Sequence, residues 1–305
     1  MKRKHKKSYD LFSSFSFYTP GWKGMIILTL LFLAGALIGN FAFSVVAPCA
    51  GQEFVGAYGV LIMYPCQFIP AMIYAAAKSH AAETIDGTGA VPLDDNRFQP
   101  TGGFLLAVMV AIGTICTAFI IEPITALLPE MPQNLIDSMK MLTGGPLWAA
   151  LLSTAVMAPF FEEWLCRGLI LRGFLQRVKP GWAIIISAAF FAIIHLNPWQ
   201  AIPAFLLGCL FGLVYYKTGS LKLTMLMHCV NNATSVLLSR AVSDNEEIRY
   251  YWDLIPDRST YVLLYCVCAA MVILLVTRLC TLGASCPAAS ASTCSEKSQS
   301  GNEMQ

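Results

Sequence analysis

Charge is scarce in this chain. Asp, Glu, Lys and Arg together make up 12% of 305 residues, while 56% are hydrophobic and the mean hydropathy is +0.62. A soluble domain carries roughly a quarter charged residues, so a water-facing exterior for a fold of this length is excluded. The net charge is +2, which gives no electrostatic argument for nucleic acid as a partner. None of the 11 cysteines forms a CxxC pair, so neither a thiolate zinc site nor a disulfide framework is indicated. Most of them sit inside apolar runs (Cys66, Cys116, Cys209, Cys229, Cys266, Cys268), where a thiol acts as a small hydrophobe. No HExxH occurs, which removes the common helical zinc-protease arrangement. There is no internal repeat.

What the chain has instead is long apolar runs, near 25–47, 54–77, 104–128, 147–165, 182–196, 200–216, 222–239 and 260–277. A bilayer accepts such runs as helices of about 20 residues. The expected fold is all-α: a polytopic membrane protein with about eight transmembrane helices. The first run, Met25 to Ala47, has no charge over 23 residues. That is longer than a signal-peptide core, so it reads as a retained helix. The fifth to seventh runs are short and read as tightly connected helices, with a re-entrant segment at 182–216 as the alternative. The chain divides into a basic cytoplasmic segment (1–24), N-terminal membrane helices (25–144) and a core bearing the polar motifs (145–240). An outer loop with the last helix (241–280) and a Ser/Ala/Gln-rich, disordered tail (281–305) complete it.

Orientation follows from Lys and Arg. With the N-terminus inside, sixteen of the 20 fall in inner segments, and Lys140, Arg240, Arg249 and Arg258 fall outside. The bias places both termini in the cytoplasm of a protein integral to the membrane, the plasma membrane being the expected one.

Ionisable residues within spans are expensive and usually functional. Here they cluster in the second half, in three motifs: Glu162-Glu163 with Arg167 and Gly168 (EExxxR-G), Phe191 with His195 (FxxxH), and His228 with Asn232 (HxxxN). Each feature alone has a plain reading. A Glu pair ends many helices in solvent, a lone His is often structural, and Asn231 or Asn232 would serve as glue between helices. Three in order on separate spans argue otherwise. Glu163 and Arg167 share a helix face and pair. Glu162 points elsewhere and is left for other work, while Phe191 packs one turn before His195. Glu162, His195, His228 and Asn232 then face one cavity. A carboxylate serves as general base on water, and His and Asn donate to a developing oxyanion. The metal alternative uses Glu162, His195 and His228 as zinc ligands with bound water as nucleophile. Cys166, inside the first motif, is assigned no chemistry. Glu122, followed by Pro123, marks a helix exit, and Asn40 is a packing contact.

These motifs resemble those of the CPBP family, the CAAX proteases and bacteriocin-processing enzymes, also called type II CAAX prenyl endopeptidase or Abi proteins. The likeness covers roughly residues 145–240. It implies an eight-helix intramembrane endopeptidase of glutamic type, with Glu162 activating water and His195, His228 and Asn232 supporting the oxyanion, and Glu163 and Arg167 completing the site. No cofactor is favoured; zinc is the alternative. The implied partners are a peptide or protein substrate, membrane-anchored or lipidated, and the lipid bilayer. Eukaryotic members of the family trim prenylated CAAX tails, and many bacterial members serve peptide processing or bacteriocin immunity. Two readings outside this one are a proton- or ion-coupled transporter and a non-catalytic immunity or scaffold protein of the same fold. The transporter suits less well, because the polar groups fill one half of the chain rather than two matching halves.

Overall fold

A computed structural model of the chain describes residues 12–143, 145–241, 250–255 and 257–282. The basic cluster at 2–7, positions 242–249 and 256 of the outer loop in the 241–280 segment, and nearly all of the tail lie outside those residues. Among the described residues every regular element is helical. They are α1 (Trp22–Ala50), α2 (Gln52–Thr84), α3 (Gly103–Thr125), α4 (Gln133–Thr143) and the continuous α5 (Leu147–Leu175). Then follow α6 (Pro180–Ile194), α7 (Pro198–Thr218), α8 (Leu221–Ala241), the single turn α9 (Tyr251–Leu254) and α10 (Arg258–Thr281). Every apolar run in the sequence coincides with one of these helices.

Six helices are long and apolar enough to cross a membrane: α1, α2, α3, α5, α7 and α10. The chain is an integral membrane protein. Of the other two runs, α8 has 21 residues but carries Lys222, His228, Asn231, Asn232 and Arg240. Helix α6 has 15 residues, about 22 Å at 1.5 Å each, short of a ~30 Å hydrocarbon core. It ends at His195, and the chain reverses through Leu196, whose φ of +52° is left-handed. Asn197 then caps α7 by accepting the backbone N–H of Trp199, which satisfies one of the donors a helix start leaves open.

Packing follows connectivity. Helices α1 and α2 form one hairpin, α6 and α7 another, and α3 packs against α7, α8 and α10. Gly35 lets α1 come so close to α2 that any Cβ there would run into the backbone of Gln67. One apolar core joins Leu28, Phe32 and Phe68 to Trp164, Leu165 and Phe174. A second joins Leu106, Val110, Phe211, Met227 and Leu275. Helix α5 is the central element: 56% of the positions in its most apolar window are buried inside the protein, against 11% for α10. A helix so enclosed can carry charged groups, because protein rather than lipid surrounds them.

Helix α5 is not uniform. A six-residue α segment, Ala158–Glu163, lies between two stretches of wider π turns, Leu151–Met157 and Trp164–Leu171. The register change is visible in the bonds: Ala158 N–H reaches back five residues to Ser153, and Arg172 N–H to Arg167. Such wide turns recur at functional sites. The first motif therefore begins mid-helix and continues into the second π stretch, and the helix runs ten residues past the run that ended at 165.

Past the motif, Arg172 is 2% exposed and, among the described residues, forms no ion pair with a carboxylate. Its guanidinium donates to the carbonyls of Phe15 at 2.9 Å, Tyr18 at 2.5 Å and Val91. Arg177 adds a bond to the Thr19 carbonyl at 2.9 Å. Together they hold the segment before α1 against the end of α5, with Phe15 edge-on to Trp164 at 5.2 Å.

Candidate active site

Glu162 lies fifteen residues into α5, about 22 Å along its axis, and the neighbouring helices supply the rest of the site. Glu163 and Arg167 have fully buried side chains and form an ion pair at 2.7 Å. Arg167 Nη2 also donates to the Gly208 carbonyl on α7 at 3.0 Å. Its guanidinium lies over the rings of Phe191 at 4.6 Å and Phe211 at 5.3 Å. Here an aromatic face attracts a cation with little water to compete. Gly208 makes this fit: a Cβ there would stand 3.3 Å from Arg167 Nη2 and 3.2 Å from the Ala188 Cβ.

Glu163 has a second task. Its Oε1 also lies 3.0 Å from His228 Nδ1. A carboxylate only accepts, so Nδ1 carries the proton and the bare or protonated Nε2 faces away. Nε2 faces Glu162, at 3.8 Å from its Oε2, beyond hydrogen-bond reach. Glu162 Oε1 accepts from the Tyr64 hydroxyl on α2. Glu162 Oε2 is buried and has no hydrogen-bond partner. Each carboxylate keeps one buried oxygen without a hydrogen-bond partner, and they differ in the other. Glu163 Oε1 binds a cation and an imidazole, whereas Glu162 meets a neutral phenol and turns Oε2 toward His228 Nε2.

The remaining sequence candidates sit beside this chain of contacts. Phe191 presents its ring edge-on to both His195 at 4.8 Å and His228 at 5.3 Å, so the two imidazoles flank one phenyl group. His195 is half-buried, with Nδ1 2.7 Å from the Phe191 carbonyl, which assigns the proton to Nδ1 and turns Nε2 outward. Asn232 donates to the Thr154 carbonyl at 2.7 Å and accepts from Asn231 at 3.1 Å. Among the described residues no hydrogen bond links His195 or Asn232 to the Glu162–His228–Glu163–Arg167 group.

The Asn232 bond has a local cause. In the π register the Thr154 carbonyl would accept from residue 159, which is proline and has no N–H. The Ala158 N–H goes to Ser153 instead. A buried carbonyl without a donor is costly, and α8 supplies the donor through Asn232. One proton of the Asn232 amide remains for other use.

The zinc alternative needs Glu162, His195 and His228 to converge. Among the described residues no three His, Cys, Asp or Glu side chains gather as metal ligands would.

Sequence reasoning missed Tyr64, Gly208, Phe211 and Thr154. A signal existed for Tyr64 alone: it lies near the middle of an apolar helix, whereas membrane tyrosines collect at the interfaces.

The family model of Rce1-like type II CAAX prenyl endopeptidases matches residues 144–234. That range starts just before α5 and contains all three motifs. Residues 144–234 are similar to the domain that this family shares. No curated protein and no solved structure matches the chain. The Rce1-like match supports a CAAX-type intramembrane protease in general, a hydrolase acting on protein or peptide substrates in the membrane. Helices α1 to α4 and α10 lie outside the matched range, yet α2 reaches into the site through Tyr64.

Proposed function

We propose that this protein is an intramembrane endopeptidase of glutamic type, in which Glu162 is the general base. The observation that carries this is that Glu162 holds no cation and turns its unpartnered Oε2 toward His228 Nε2 at 3.8 Å, whereas Glu163 is ion-paired to Arg167 and bound to His228 through Oε1.

Glu162 Oε2 takes a proton from water while the water oxygen bonds to the scissile carbonyl carbon. The carbonyl π electrons move onto oxygen, and the oxyanion takes hydrogen bonds from the free Asn232 amide proton and a protonated His228 Nε2. Glu163 behind His228 fixes the orientation of the ring through Nδ1, as a carboxylate does behind a catalytic histidine. The tetrahedral species then collapses: the C–N bond breaks, and the nitrogen leaves with the proton held by Glu162. His195, whose Nε2 is unprotonated in the tautomer its Phe191 bond sets, accepts a hydrogen bond from the water or an incoming peptide N–H. No metal enters these steps.

The substrate is a peptide or a membrane-anchored, lipidated protein tail, because the site lies within a helix bundle. Sixteen inner against four outer Lys and Arg support cytoplasmic termini. A reporter fused after Cys280 should read as cytoplasmic, and an external reading would overturn that orientation.

The deciding experiment uses purified protein in detergent with fluorogenic peptides, both unmodified and farnesylated at a CAAX end. Cleavage by the wild type and none by a folded Glu162→Gln is expected, since the amide cannot take the proton. Activity should persist in strong chelators. Retained cleavage in Glu162→Gln, or silencing by chelation with recovery on added zinc, would sink the glutamic mechanism.

A further inference from the structure

Tyr64 is half-buried in the helix bundle, lies outside the matched residues, and donates to the carboxylate whose other oxygen faces His228. We propose that Tyr64 is a positioning residue for Glu162, so that α2 completes the site. This rests on Glu162 acting as the base.

The placement follows from packing. Phe68 and Phe161 stack with ring centroids 5.1 Å apart and planes 18° from parallel, which fixes α2 against α5. Tyr64 stands one turn before Phe68 on the same face, and Glu162 follows Phe161. The stack therefore sets the Tyr64 hydroxyl beside Glu162 Oε1, to which it donates. The Tyr64 and Phe68 rings also touch, at 5.6 Å, so the phenol is held on its edge as well as at its tip. A buried tyrosine hydroxyl needs a partner, and here the carboxylate is it.

The consequence lies in the gap on the other side. Glu162 Oε2 and His228 Nε2 are 3.8 Å apart, and a protonated imidazole attracts a carboxylate across that distance. Left free, Glu162 would rotate onto His228 and close the space in which water and the scissile carbonyl must sit. The Tyr64 bond pulls the carboxylate the opposite way. It keeps Oε2 open as the base and leaves His228 available to the oxyanion. Tyr64 thus acts through Glu162 rather than on substrate.

The test compares wild type, Tyr64→Phe and Glu162→Gln on a farnesylated fluorogenic CAAX peptide, with kcat and KM measured separately and thermal unfolding recorded. Tyr64→Phe keeps the ring against Phe68 and removes only the hydroxyl. The expected result is a fall in kcat of ~10–100-fold, the scale of a small misplacement of a catalytic group, with KM within about twofold and the unfolding midpoint unchanged. Wild-type kcat in Tyr64→Phe would overturn the proposal. So would a loss of activity that tracks a loss of folding, which would mean a structural role. Should Tyr64→Phe not fold, 3-fluorotyrosine at position 64 keeps the hydroxyl and alters its donor strength. A change in kcat with KM constant then supports the proposal, and an unchanged kcat overturns it. Glu162→Gln separates the two failures. If it is inactive while Tyr64→Phe is unaffected, only the role of Tyr64 falls; if it is active, the base assignment falls, and Tyr64 with it.

Discussion

His228 places Nδ1 3.0 Å from Oε1 of Glu163, the same oxygen that binds Arg167 at 2.7 Å. One buried carboxylate oxygen therefore joins the EExxxR motif to the HxxxN motif. The second Glu of the pair orients an imidazole while it neutralises an arginine.

That shared oxygen sets the outcome of breaking the pair. Arg167→Met leaves Glu163 buried with its cation gone, and removing one partner of a buried ion pair costs about 3–5 kcal/mol. Unfolding followed in mild detergent should show a loss of that size. Replacing both residues by Met should recover most of the stability, since no lone charge remains, but should not recover turnover, because His228 has lost its holder. A double variant with wild-type turnover would mean that His228 needs no such support.

Gly208→Ala should be costly despite its small size. The added methyl meets Arg167 Nη2 at 3.3 Å and the Ala188 Cβ at 3.2 Å, so either α6 and α7 separate or Arg167 moves. Overpacking of this kind costs about 1–3 kcal/mol. Thermal unfolding should detect it, with kcat falling more than KM rises because Arg167 holds Glu163.

Much of this site could be read from sequence, for a definite reason. Four-residue spacing on one helix puts Glu163 beside Arg167 and leaves Glu162 apart, and the structure has that pairing. Spacing could not show which residue on another helix each group meets. His228 meeting Glu163, Tyr64 meeting Glu162, and Phe191 serving His228 and Arg167 as well as its own neighbour His195 all depend on how helices cross. Asn232 shows the limit most plainly. Its type suggests an amide donor, but its partner is a carbonyl freed by a proline 73 positions earlier and a change of helical register that no apolar pattern marks. Helix ends were also poorly marked: the run ending at 165 continues to Leu175, because α5 is covered by protein and tolerates Arg167 within the motif and Arg172 beyond it.

The Asn232 bond predicts a coupling between distant positions. Asn232→Ala leaves the Thr154 carbonyl without a donor, at a cost of about 1–3 kcal/mol. Pro159→Ala restores an N–H at the position whose absence created the need. The double variant should therefore be more stable than the sum of the two single changes implies, and unfolding of the four proteins measures the difference. Strict additivity would show that Asn232 serves α5 in some other way.

Arg172→Leu should release the segment before α1 without touching the catalytic groups. Amide hydrogen exchange at residues 12–21 should speed up relative to the wild type, while exchange in the Ala158–Glu163 segment stays unchanged. Unaltered exchange at 12–21 would show that Arg177 and the Phe15–Trp164 contact hold the segment without Arg172.

The arginine clamp also fixes an order of events during synthesis. The carbonyls of Phe15 and Tyr18 emerge from the ribosome 157 and 154 residues before the guanidinium that will hold them. Through the insertion of α1 to α4 the segment has no such partner, and only the emergence of the last turns of α5 can close it. Docking of residues 12–21 is thus a late step in biogenesis, a molecular report that the central helix has arrived and brought its C-terminal end into place.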